Sequence, residues 1–206
     1  AMSFAGQKCT ATRRVIVLEE VAETMDRLLA ERIEALVVGD PARDGVTVGP
    51  LISPVAVEEF EQATAAALEA GGEVVARAGS GEGGYFVSPV LIRQDDPMAT
   101  VNQEETFGPL LTVMTVPDAA AAIEAANSTR FGLVGAVHGR DLGNAVEVVS
   151  KIRCGLRRIN APTPGVDYYA PFGGEGMSSF GPREQGRAAR EFFTSTTTMT
   201  VVPATS

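Results

Sequence analysis

Tryptophan is missing from these 206 residues, histidine occurs once (His138), and cysteine twice (Cys9 and Cys154). One histidine and two distant cysteines cannot furnish the ligand set of a typical zinc site, so no metal is expected. Two cysteines do not make a disulfide scaffold either; one that matters here matters singly, as a thiolate. Positive charge is also scarce: 17 Lys and Arg stand against 26 Asp and Glu, for a formal net charge of −9. Nothing concentrates Lys and Arg to neutralise phosphates, which argues against a nucleic-acid partner. No apolar run approaches the ~20 residues that span a bilayer, and no secretory signal opens the chain. The chain therefore reads as soluble and cytoplasmic, without a membrane partner.

What is present is an ordinary globular balance, 45% hydrophobic and 21% charged, enough to build a core without staples. Residues 13–18 (RRVIVL) read as a short buried strand. A helix follows over 20–34, with Val21, Met25, Leu28, Leu29 and Ile33 on one stripe. Ser53 and Pro54 suit the N-cap and first turn of a second helix that runs to residue 69 and stops at Gly71-Gly72. Strands are expected at 73–77, 85–92, 110–116, 131–138 and 155–160, and helices at 118–127, 142–152 and 183–192. The glycine-rich stretch 79–84 lacks the Lys-Ser/Thr and helix start of a phosphate loop and reads as a surface turn. Strands alternating with helices imply an α/β fold, a mostly parallel sheet with flanking helices. Residues 161–182 form a long Gly- and Pro-containing loop, a length that usually signals function or a linker. The Thr- and Val-rich run 194–202 is β-prone, and either joins the domain's own sheet or docks on another chain's edge.

Cys9 stands in Gly6-Gln7-Lys8-Cys9-Thr10, a glycine-containing loop before the first strand. A thiolate there can attack carbonyl carbon, and a neighbouring cation such as Lys8 favours the thiolate. The local sequence alone favours a small buried hydrophobe, the commonest fate of a free cysteine. Glu104-Glu105 alone is a solvated acidic turn, and Phe172 alone is core packing.

GQKCTATRR resembles the cysteine signature of the aldehyde dehydrogenase superfamily. VGDP and VGPLIS, GGYFVSPVLI, QEETFGPLL, ANSTRFGL, PFGG and GPREQG follow in the same order, so the resemblance covers essentially the whole chain. It implies the family's catalytic-domain fold over residues 1–193, followed by an oligomerisation strand and tail over 194–206. It implies oxidation of an aldehyde to a carboxylate, with NAD or NADP as cofactor. Cys9 resembles the nucleophile, which forms a thiohemiacetal whose oxyanion is held partly by its own N–H. A thioester follows hydride loss, and water releases the acid. Glu105 resembles the residue that binds the nicotinamide ribose, where a carboxylate accepts from two vicinal hydroxyls. Phe107 resembles the aromatic beside that sugar and ring. Lys8, Thr10, Val166 and Phe172 match positions along the substrate tunnel. The stretch from GVDYYAPFGG to GRAAREFFT, together with GQKCTAT, is similar to the branch that oxidises α-ketoglutaric semialdehyde. The family's C-terminal strand crosses to a second subunit, which implies a homo-oligomer.

The family's cofactor-binding half lies upstream of the cysteine and carries the general-base glutamate and an oxyanion-hole asparagine. Only eight residues precede Cys9, so the chain by itself is expected not to turn over. Arg157 and Arg158 depart from the family pattern, which is apolar in that strand. Whichever points inward must meet a carboxylate or reach solvent at a domain edge. Glu175-Gly176 after PFGG also departs, so that loop is expected to sit differently. Two rival readings stand: a non-catalytic homologue that caps full-length partners, and a cysteine hydrolase using His138.

Overall fold

The computed structural model describes residues 1–204. A 3-10 turn at Ser3–Gly6 leads into β1 (Arg14–Leu18), α1 (Glu19–Glu34), α2 (Pro54–Glu69), β2 (Glu73–Arg77) and β3 (Val90–Arg93). Then come α3 (Thr100–Gln103), β4 (Leu110–Val116), α4 (Ala119–Asn127), β5 (Phe131–Gly132) and β6 (Val134–Val137). The last elements are α5 (Leu142–Lys151), β7 (Leu156–Ile159), β8 (Glu175–Gly176) and α6 (Ala188–Phe192).

Helix starts follow local chemistry. The Ser53, Asp118 and Asp141 side chains accept from the N–H of Ala56, Ala121 and Asn144, satisfying donors left free in the first turns of α2, α4 and α5. Pro54 occupies the first turn of α2, where it has no N–H to lose.

The main sheet has the order β1-β4-β3-β2. β1, β4 and β3 run parallel and β2 closes the edge antiparallel. A parallel interior strand is covered on both faces and should read as continuously apolar. β4 (LLTVMTV) is apolar or β-branched throughout and β3 (VLIR) is apolar up to Arg93 at its end; Leu91, Ile92, Val113 and Met114 are fully buried. α1 packs Met25, Leu29 and Ile33 on one side of this sheet, and Phe60 and Ala67 of α2 join a second cluster with Val90, Ile92 and Leu110. β6 and β7 form a separate parallel pair, and β5 pairs with β8. The expected α/β architecture with a mostly parallel sheet and flanking helices is present.

Several expected boundaries shift, each for a reason. The strand expected over 85–92 forms only as β3. Pro89 has no N–H for a ladder, and the Tyr85 carbonyl is taken by Leu51 N–H at 2.9 Å. The strand expected over 131–138 breaks at Leu133 because its two halves pair with different strands. The helix expected over 183–192 shrinks to α6. Gln185 and Gly186 take φ of 65° and 50°, a left-handed geometry that no α-helix contains. Residues 194–204 are exposed and pair with no strand of this chain among the described residues, so the tail does not join the domain's own sheet. The tail expected over 194–206 ends with two residues that lie outside the described ones.

Arg157 is exposed on β7, whereas Arg158 is half-buried and reaches the Gly165 carbonyl at 3.5 Å near the surface; among the described residues it has no carboxylate partner, and its Nε is buried without an acceptor. Glu175-Gly176, the second departure, is used as β8. No helix among the described residues is long and apolar enough to cross a membrane.

Candidate active site

Strand register brings the site together. β1 and β4 are parallel neighbours, and Arg14 lies opposite Thr112. Loops preceding parallel neighbours emerge at the same edge of the sheet. Cys9 and Phe107 each lie five residues before that pair, so both enter from one side. They line one open cleft of about 410 Å³ together with Gln7, Lys8, Thr10, Val166, Phe172 and Gln185. Lys8, Cys9, Thr10, Phe107, Val166 and Phe172 were singled out from sequence; Gln7 and Gln185 were not. Glu105 is not among the residues that line the cleft.

Cys9 is exposed, while Cys154 is buried, with 4% of its surface accessible. Burial pushes the Cys154 thiol up, against the opposing influence of nearby Arg157. Of the two thiols, then, the one facing the cleft is Cys9. Its loop is under conformational strain: Phe4, Ala5 and Gly6 all have positive φ (54°, 52° and 71°). Gln7 fastens the loop by accepting from Ile52 N–H at 2.9 Å and donating to the Pro50 carbonyl at 3.3 Å. Behind the cysteine, Thr163 from the long loop donates to the Thr10 carbonyl at 2.7 Å and meets Thr12 Oγ1 at 3.0 Å. Among the described residues the Cys9 N–H donates to no protein acceptor. The Lys8 ammonium sits 3.9 Å over the Phe4 ring.

The second loop is built on a buried polar chain. Thr112, fully buried in β4, donates to Asn102 Oδ1 at 2.7 Å. Asn102 in turn donates to the carbonyls of Gln94 and Asp96. This fixes the short α3, and the next residues diverge. Glu104 turns outward to Arg130 at 2.6 Å, whereas Glu105 faces Arg13 at 3.8 Å. Both glutamates remain exposed, but each faces a different cation. Partial desolvation raises the Glu105 pKa above the usual carboxylate value, opposed by Arg13. Phe107 remains 44% exposed. A carboxylate held only by a loose ion pair, on the same loop as a half-exposed aromatic ring, fits a sugar with vicinal hydroxyls joined to a planar ring.

Arg13 is the residue that sequence reasoning missed. It donates to the Gly108 carbonyl at 3.0 Å and the Lys8 carbonyl at 3.3 Å, donates also to the Gly6 carbonyl, and lies 5.3 Å over the Phe107 ring. The signal was available: two adjacent arginines enter a buried strand, and a turned-in guanidinium needs partners. Arg14 makes a different bond set, donating to the Ala125 and Ala126 carbonyls at the end of α4.

Phe172 is fixed by a two-bond bridge: its N–H donates to the Glu184 carbonyl at 2.6 Å, and Glu184 N–H returns a bond at 2.9 Å. His138 is exposed at the end of β6 and does not line the cleft, so the structure does not bring it to Cys9. No cluster of three or more His, Cys, Asp or Glu suited to a metal occurs among the described residues.

The model of the aldehyde dehydrogenase family matches residues 1–199. The chain is 36% identical over 209 residues to alpha-ketoglutaric semialdehyde dehydrogenase of Bacillus subtilis, covering 98% of this chain and 43% of that protein. Among solved structures it resembles betaine aldehyde dehydrogenase from Staphylococcus aureus in complex with NAD+ (TM-score 0.87, 29% identity, 92% of this chain and 38% of that one). It resembles Mycobacterium tuberculosis aldehyde dehydrogenase complexed with NAD+ similarly (TM-score 0.86, 31% identity, 92% and 39%). The chain thus spans about two fifths of the length of these relatives. A family match along nearly the whole chain, on the same fold, makes this chain a member of the aldehyde dehydrogenase family.

Proposed function

We propose that this chain supplies the nucleophile half of an NAD(P)-dependent aldehyde dehydrogenase. Residues 1–193 serve as the catalytic domain and 194–206 as an oligomerisation strand and tail. The observation that carries this reading is the exposed Cys9 sharing one cleft with the half-exposed Phe107. Glu105 and Phe107 are the residues that would hold the nicotinamide-ribose end of the cofactor.

Cys9 Sγ attacks the aldehyde carbon, a C–S bond forms, and the carbonyl π pair moves onto oxygen. The unengaged Cys9 N–H is one donor for that oxyanion. The chemistry supplied by bound NAD(P)+ is hydride acceptance, which turns the thiohemiacetal on Cys9 into a thioester. Water then releases the carboxylic acid and restores the thiol. Lys8, Thr10, Val166 and Phe172 line the approach of the aldehyde.

The substrate we favour is a small semialdehyde of the α-ketoglutaric type. The likeness to the Bacillus subtilis relative supports it. So does the mixed lining, with Lys8, Gln7 and Gln185 beside Val166 and Phe172, which suits a short carbon chain ending in a carboxylate. The test follows NAD(P)H formation by the chain alone and by the chain joined to a family cofactor-binding half. The joined protein should turn over, prefer α-ketoglutaric semialdehyde to betaine aldehyde by at least about tenfold in kcat/KM, and lose turnover on Cys9→Ala. Preference for the cationic aldehyde would overturn the substrate. Steady turnover by the chain alone would overturn the division of labour. Deleting residues 194–206 should lower the mass of the assembly by light scattering; an unchanged mass removes the strand's role.

A further inference from the structure

Arg13 carries more than one strut should. Its guanidinium sits between two loops that approach the cleft from neighbouring strands. On one side it holds the Gly6 and Lys8 carbonyls, which lead into the Lys8–Ala11 turn that carries Cys9. On the other it holds the Gly108 carbonyl at 3.0 Å, lies 5.3 Å over the Phe107 ring and faces Glu105 at 3.8 Å. Its Nε is buried and has no acceptor within hydrogen-bond distance, so the nearby Glu105 oxygen is held by charge alone. That leaves Glu105 with acceptor capacity to spare. Five donors in a fixed plane suit this task; an ammonium on a flexible stem does not.

We propose that Arg13 is a positioning residue that couples the nucleophile loop to the cofactor-sugar loop, fixing Cys9 and Glu105 relative to one another. Three observations argue for this. First, the Cys9 loop carries successive left-handed residues, and such backbone persists only when its surroundings over-determine it. Arg13 accounts for two of the carbonyl contacts that do so. Second, the contacts bridge segments 95 residues apart in sequence, so local folding of either loop cannot replace them. Third, Arg13 is charge-coupled to both functional groups: burial lowers its pKa, while Glu105 and Cys9 each oppose that. The neighbouring Arg14 shares the same strand entry and is also largely removed from water, yet it binds only helix-end carbonyls of α4. It is the natural control.

The proposal rests on the reading of Cys9 as nucleophile. Its test uses no aldehyde or cofactor, so the two fail separately. The whole chain is treated with iodoacetamide at one fixed pH, under conditions where every variant is folded, and peptide mass identifies which cysteine reacts. Arg13→Gln removes most of the donors that hold the Gly6, Lys8 and Gly108 carbonyls, so the rate of Cys9 alkylation should change by at least about threefold as the loop relaxes. Arg14→Gln should lower the melting temperature and leave that rate where it is. Arg13→Lys keeps the charge but cannot reach three carbonyls at once, and it should change the rate in the same way. If Arg13→Gln cannot be purified, Arg13→Lys decides alone. A rate unchanged in Arg13→Gln, a rate changed equally by Arg14→Gln, or an unchanged rate in Arg13→Lys would each overturn the proposal.

Discussion

Replacing Gly6 by alanine tests whether the cleft depends on two loops touching backbone to backbone. A Cβ built on Gly6 falls 2.1 Å from the Gly108 carbonyl oxygen and 2.6 Å from its carbon. Neither atom belongs to a side chain that can swing away, so the loops must part by about 1 Å to restore van der Waals contact. Gly6 also has φ of +71°, where alanine is disfavoured by about 1–2 kcal/mol. Parting the loops loosens the Arg13 bond to Gly108 or to Gly6, and a hydrogen bond from a charged donor contributes about 1.5–3 kcal/mol. Gly6→Ala should therefore destabilise the chain by roughly 3–5 kcal/mol, lowering the melting temperature by roughly 6–20 °C for a domain of this size. Gly71→Ala isolates the backbone term: φ is +86° with nothing within 4 Å of the new Cβ, so a loss of only about 1–2 kcal/mol is expected. Calorimetry of both variants beside the parent chain is the assay. Equal losses in the two would refute the close approach of the loops, and with it the geometry from which the site is built.

Burial separates the two cysteines. Iodoacetamide at neutral pH should label Cys9 alone in the folded chain and both thiols after denaturation; labelling of Cys154 in the native state would contradict its burial. Arg14→Met removes two bonds to carbonyls at the end of α4, at 2.9 and 3.0 Å. It should destabilise by about 2–4 kcal/mol in a denaturant titration without altering Cys9 alkylation. For Glu105 the folded-state pKa is raised, so the folded chain binds its proton before the unfolded chain does as pH falls. The small stability penalty of its burial is present above the folded-state pKa and relieved below it. Cofactor affinity in the joined enzyme runs the other way: binding that needs the ionised carboxylate should weaken at a higher pH than an ordinary glutamate would dictate. Titrating affinity against pH in the parent and in Glu105→Gln checks this, because the variant should bind weakly and show no such dependence.

How much of this was legible in the sequence depended on the range of the deciding interaction. Ser53, Asp118 and Asp141 mark helix starts because a cap acts over two or three residues. β4 was legible because seven apolar or β-branched residues in a row match a covered parallel strand. The segment 183–192 reads as a helix until Glu184 is committed to Phe172 and Gln185 turns left-handed. Those constraints come from residues 12 or more positions away and leave no local mark. The site divides in the same way. Cys9, Phe107 and Phe172 could be named from motif resemblance. Gln7 and Gln185 were quoted in those motifs without a role, because their roles arise from placement. Arg13 was hidden differently. The cost of turning a guanidinium inward flags Arg157 and Arg158, and it applies with equal force to Arg13 and Arg14, where it would have pointed to partners in the site.

The walls of the cleft rest on backbone contact more than on the side chains that line it. Gly6 meets Gly108 on one side; on the other, a Cβ on Gly155 would fall 1.9 Å from the carbonyl oxygen of Gly173, next to Phe172. Thr163 ties the long loop to the Thr10 carbonyl, and the Glu184 bridge holds Phe172 through main-chain atoms. None of these contacts uses the side chain of Val166 or Phe172. Val166 and Phe172 can therefore change in size or polarity while the thiol and the ring of Phe107 stay in place, because what fixes them is register, main-chain packing and the side-chain bonds of Gln7, Arg13 and Thr163. Reactivity and specificity are then separable in this fold. Substitutions at Val166 should redistribute kcat/KM among aldehydes while leaving Cys9 alkylation unchanged. Substitutions at Gly6 or Gly155 should disturb both together, since they move the frame on which every lining residue is mounted.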